Sequence, residues 1–277
     1  MRKLFAANNR RILKSRLFRL ELIFCAAFAA WIMFANYDPK IQASASPLYL
    51  ENVFFNMYQI FCVVFAVVIG LTVGMEYSDG TIRNKLIVGH TRAGIYFSTM
   101  LTNIWASVAA LAVHGVVSYG IGYFLFGTFR ISAAQVAAAV LSAVLANLVF
   151  TVFFTAFALN CSNKAGTAVT VIILALVIVL AANFAGGRLL EPEMIYDGVT
   201  VTMDGIQLGE MIPNPNYVTG FARRLCEIVY NVLPSGQLMQ IQSLELVHWP
   251  YWCALSVLLS AAAAGVGYWL FVRKDIK

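Results

Sequence analysis

VFFNMYQIFCVVFAVVIGLTVGMEYSDGTIRNKLIVGHTR, residues 53–92, decides the architecture. From Val53 to Val73 it carries no charge, and at ~1.5 Å per helical residue a run of that length crosses the ~30 Å hydrocarbon core of a bilayer. It then turns abruptly polar, with Glu76, Asp79, Arg83, Lys85, His90 and Arg92 close together. Asp79-Gly80 reads as a turn. Thr81 to Val88 reads as a short helix stopped by Gly89, and Thr91 as the cap of the apolar run that follows. A span, a short charged helix and a second span are what a polytopic membrane protein would show.

Composition points the same way. The chain is 61% hydrophobic and 12% charged, about half the ~25% charged fraction of a soluble domain. Its net charge is +6, yet no basic patch is interleaved with stacking aromatics as a nucleic-acid groove requires. No nucleic-acid partner is expected. The cations instead flank the apolar runs, as membrane topology demands.

Working outward, about six transmembrane helices are expected, at 17–34, 53–73, 95–126, 134–159, 168–184 and 249–272. The fold class is all-α and polytopic. With the N-terminus inside, fourteen Lys and Arg fall on inner segments and five on outer ones. Both termini are therefore expected in the cytoplasm. Residues 1–16 form a basic, amphipathic segment, read as a helix on the inner membrane surface. The remaining 17–277 make up the transmembrane domain, with a coupling segment at 76–92. The basic start, first apolar run and Ala43-Ser44-Ala45 resemble a signal peptide, but a retained anchor is the better reading, because more spans follow. Arg19 and Glu21 lie near the inner end of the first span, where they are expected to snorkel or pair. Gly70-x-x-x-Gly74 permits close helix packing. Gly186-Gly187 is expected to end the fifth span, and Asn160 to Lys164 to be an inner turn whose Asn160-Cys161-Ser162 sequon faces the wrong side.

The outer segment, 191–248, holds seven acidic and two basic residues. Val199 to Met203 alternates and runs into Asp204-Gly205, a hairpin signal. Val218, Phe221, Leu225, Ile228, Val229 and Val232 share one helical face, with Arg223, Arg224 and Glu227 opposite and Pro234 ending the pattern. A small extracellular cap is expected, its amphipathic helix lying on the outer membrane surface or the bundle. No Cys/His cluster has metal-ligand spacing. The spacing of Cys226 and Cys253, both on the outer side, leaves their pairing open.

The segment from Glu76 through Gly80-Thr81-Ile82-Arg83-Asn84-Lys85-Leu86 to Arg92 resembles the first cytoplasmic loop of ABC exporter permeases of the bacitracin-resistance and sodium-exporter kind. Asn214-Pro215-Asn216-Tyr217, Leu233-Pro234-Ser235-Gly236-Gln237 and the tail Phe271 to Lys277 fit the same pattern. The resemblance implies a permease subunit in a bacterial plasma membrane that pairs with a second permease subunit, the same or a sister chain. A separate ABC ATPase subunit would bind ATP and Mg, and membrane lipid would surround the whole. It also implies that Thr81 to Leu86 dock on that ATPase, with Glu76 capping or pairing within the loop. No GxxxxGK[ST] occurs, so this chain is not expected to cradle a nucleotide or to be an enzyme. Leu233 to Gln237 resembles the ABC ATPase signature but lacks its second glycine, and reads as a helix break and cap. An antimicrobial peptide, drug or lipid is the implied substrate class.

Asn56, Gln59, His114 and Asn147 are polar residues within apolar runs. They are candidates for a substrate path or for interhelical hydrogen bonds. Two other readings are an ion-coupled carrier or channel, which would favour charged midplane residues and inverted repeats, and an intramembrane enzyme, for which no catalytic set such as HExxH is present.

Overall fold

A computed structural model describes residues 2–161, 163–202 and 205–275. Outside these lie Ser162 of the sequon, Met203 and Asp204 of the hairpin turn, and Ile276 and Lys277 of the tail, together with the side chains of Lys164, 199–202 and 205–208. Among the described residues six helices are long and apolar enough to cross a membrane, and the fold is that of an all-α polytopic membrane protein with one small β-hairpin.

Helix α1, Arg2–Lys14, stops at Ser15, whose backbone is extended, and α2 follows over Arg16–Ala35. Leu4, Asn8 and Ile12 recur every four residues and are buried, leaving Arg2, Lys3, Arg10 and Lys14 exposed. Beyond its basic face, α1 thus has a protein-facing side. It packs on α7, Arg92–Phe126, where Asn8 Nδ2 donates to Ser98 Oγ at 3.3 Å. A single turn, α3 (Pro39–Gln42), is capped by Asp38 and leads to α4, Leu50–Phe54.

The span expected from Val53 is broken. The chain turns after α4, with Met57 at a positive φ of 58°, and α5 begins only at Ile60 and runs to Ser78. At the break, Asn56 and Gln59 bond to other elements. Gln242 Nε2 donates to Asn56 Oδ1 at 2.8 Å, while Asn183 Nδ2 and Ser235 Oγ donate to Gln59 Oε1 at 2.9 and 3.1 Å.

Helix α6, Thr81–Ile87, links α5 to α7. Thr91 Oγ1 accepts from Gly94 N at 3.1 Å and caps α7, whose 35 residues exceed a bilayer crossing. Next come α8, Ala133–Asn160, opened by a Ser132/Gln135 capping box, and α9, Lys164–Leu190. Gly186 and Gly187 do not end α9 as expected. The helix continues through them, and a Cβ on Gly186 would stand 2.7 Å from the Tyr230 ring, so glycine serves packing there.

Beyond α9, β1 (Met194–Tyr196) pairs with β4 (Met211–Pro213), and β2 (Val199–Thr202) with β3 (Gly205–Leu208), in one antiparallel hairpin. Helix α10, Gly220–Val232, and α11, Pro234–Gln242, meet at an extended Leu233. The apolar face of α10, expected on the outer membrane surface or the bundle, is largely open. Phe221, Leu225 and Ile228 are exposed, while Cys226 is buried and the helix packs on α9. A 3₁₀ turn, Leu246–His248, opens the last helix, α12 (Trp249–Arg273).

At the centre α5 packs on α8 and α9, and α8 on α12 and α7, with α2 against α7. A Cβ on Gly70 would lie 3.0 Å from Ala168 Cα, so glycine sets the approach of α5 to α9. Helix α1, α6 and the end of α12 meet at one end of the bundle, called the basic end below.

Candidate functional site

The basic end is organised around one carboxylate. Glu76, on the last turn of α5, is buried. Its Oε2 accepts from Lys85 Nζ of α6 at 2.9 Å, and its Oε1 pairs with Arg11 of α1. Three elements therefore share one negative charge. Burial, and secondarily the neighbouring Arg11 guanidinium, push the Lys85 ammonium down to about 8. Burial lowers Arg11 as well, against an opposing pull from Asp79.

The glycines around α6 set its direction. Gly80 (φ 64°) and Gly89 (φ 92°) occupy the left-handed region at either end. Ile82 is buried and Leu86 half-buried against the core, so one face of this short helix is anchored. The other face carries Arg83 and Asn84 and leads to Ile87 and Val88, which are 72% and 77% exposed. Two bare aliphatic side chains thus stand beside the exposed Arg83 on a short helix anchored at its other face.

Arg92 belongs to a different assembly. Its Nη1 donates to Phe271 O at 3.2 Å and to Lys274 O at 2.5 Å, tying the start of α7 to the end of α12. Lys274 Nζ in turn donates to Tyr77 Oη at 3.0 Å and Leu159 O at 3.2 Å, and also to Cys161 O. Burial pushes Lys274 down to about 8. Of the sequence candidates, the structure thus gathers Glu76, Lys85 and Ile82 inward, presents Arg83 and Asn84, and spends Arg92 on the tail.

The four span candidates do not form one path. Asn56 and Gln59 are bonded to α11 and α9 as described. His114 is enclosed by Tyr58 and Phe61, with ring centroids 5.1 and 5.0 Å away. Neither of its ring nitrogens has a partner among the described residues. Asn147 Nδ2 donates back to Ala143 O at 2.9 Å. Sequence inspection missed a polar seam between α7 and α8. There Asn103 Nδ2 donates to Thr155 Oγ1 at 3.0 Å and Thr151 Oγ1 to Ser107 Oγ at 2.8 Å. The readable signal was the recurrence of Thr99, Asn103 and Ser107 every four residues along α7. The seam leads down to a cleft of about 390 Å³ at the basic end, between α1, α5 and α7.

The chain matches no protein-family model and no curated protein sequence.

Proposed function

We propose that this chain is the membrane-spanning permease subunit of an ATP-driven ABC exporter, moving an apolar or amphipathic substrate such as an antimicrobial peptide, drug or lipid. The observation that carries the reading is α6. It is anchored to the bundle by Ile82 and Lys85, fixed at both ends by left-handed glycines, and bare along Arg83, Ile87 and Val88. Such a helix passes a push from a soluble partner into α5 and α7 without bending between them. In this reading the basic end faces the cytoplasm, ATP and Mg belong to a separate ATPase subunit, and a second permease subunit completes the transporter.

The test is a mild-detergent pull-down of the tagged chain from its native membrane, followed by mass spectrometry. An ABC ATPase is expected with the wild type, and at least tenfold less of it, about 1.4 kcal/mol, with Arg83→Glu combined with Ile87→Asp. Arg130→Glu, at the other end of the bundle, is expected to recover the wild-type amount. Recovery of the permease alone, under conditions that hold a known ABC complex together, would turn the reading to an ion-coupled carrier or channel.

A further inference from the structure

The hairpin beyond α9 differs in charge from the rest of the chain. From Glu191 to Pro213 it holds five acidic residues and no basic one, in a chain whose net charge is +6. Its first strand also has an open edge. Asp197 N donates to Glu210 O at 2.8 Å and Asn214 N to Glu193 O at 2.9 Å. Mutually bonded positions alternate along an antiparallel pair, so these rungs, with Ile195 opposite Ile212 between them, take up the groups that face across the pair. The N–H and C=O of Met194 and Tyr196 therefore point away from β4. Gly198 N takes Tyr196 O at 3.0 Å, and the other three groups have no partner among the described residues, where the sheet has no third strand. The outer edge of β4 is blunted instead, because Pro213 has no N–H to offer.

The two faces of the pair also differ. Tyr196 stands opposite Met211 and Met194 opposite Pro213, so these four side chains share one face, and all are exposed. By the same two-residue period Glu193, Asp197 and Glu210 fall on the other face, exposed as well, around the half-buried Ile195 and Ile212. One face is apolar, the other is acidic, and a row of free backbone groups runs along the edge between them.

We propose that the β1 edge receives an extended peptide alternating apolar and basic residues, added as a third strand. Its backbone pairs with Met194 and Tyr196. Its apolar side chains lie beside those of Met194 and Tyr196, and its cations beside Glu193 and Asp197. A second copy of this hairpin is the natural competitor for an open edge. Its charge disfavours it, since carboxylates would then face carboxylates across the new pair. The inference goes beyond the exporter reading and its test requires no ATPase, so either can fail alone.

The experiment is calorimetric titration of the full chain in phosphatidylcholine nanodiscs, with empty discs subtracted. The probes are three capped eight-residue peptides. One alternates valine and lysine, one holds the same residues as two blocks, and one is the alternating peptide with its backbone nitrogens methylated. The unmethylated alternating peptide is expected to bind saturably, with a Kd at least tenfold below either of the others. Glu193→Gln combined with Asp197→Asn and Glu210→Gln is expected to weaken it at least tenfold and to flatten its salt dependence. Tyr196→Pro, which removes an edge N–H, is expected to abolish the preference. Both variants should keep the wild-type helix content. Equal binding of the three peptides by the wild type would overturn the proposal, as would an unchanged preference in either variant. Hairpin-dependent self-association of the wild type that excludes the peptide would overturn it in favour of a second copy. If Tyr196→Pro does not fold, the methylated peptide and the charge variant decide on the same terms.

Discussion

Glu76 holds two cations, and removing it has a different result from removing either of them. Glu76→Gln leaves the half-buried Lys85 ammonium without a counter-charge. The expected loss is about 3 kcal/mol, the lower end for a broken buried pair, because Arg11 is half exposed and rehydrates. Lys85→Met leaves Arg11 to satisfy Glu76 and should cost clearly less, read as the thermal midpoint in detergent. The pH dependence has a definite sign. Lys85 loses its proton near 8 when folded and near its ordinary 10.5 when unfolded, so between those values the unfolded chain binds more protons. Wild type should therefore gain stability relative to Lys85→Met as pH rises through that window. A loss would mean that attraction to Glu76 outweighs burial. Glu76 and Lys85 were legible as a cluster from spacing alone. Arg11 was not, because sixty-odd residues of chain separate it from Glu76 and only the docking of α1 brings them together. Glu21, expected to snorkel or pair, is buried, and its Oε2 has no partner among the described residues.

At the scale of elements, the close approaches are where substitutions will tell. Gly70→Leu drives a side chain into the Ala168 backbone and should separate α5 from α9, at a cost of about 2 kcal/mol. Gly120→Leu, with nothing within 4 Å of its built Cβ, should be near neutral in the same unfolding assay. Gly80→Ala should re-aim α6 through backbone strain alone, since that position is left-handed with open space around it. It is expected to reduce capture of the ATPase more than it lowers the thermal midpoint. The long helices were readable from apolar run length, and α6 from its flanking glycines. The break after α4 was not. Asn56 and Gln59 there bond partners far along the chain, Gln242 and Ser235, which hydrophobic periodicity does not encode.

For the whole molecule, the five cysteines are all free. Cys226 is buried against the bundle and Cys253 lies 3.4 Å from Ser142 Oγ, so the pairing left open by spacing is absent. Five thiols should titrate after denaturation without reductant, and three would show that the two had joined. The shared carboxylate at the basic end has a mechanical consequence. Arg11 and Glu76 also line the cleft between α1, α5 and α7. The exposed arm and the cleft are thus joined through one pair of carboxylate oxygens. In the exporter reading, a force that displaced α6 would draw Lys85 on Glu76 and Glu76 on α1, and the width of the cleft would follow the arm.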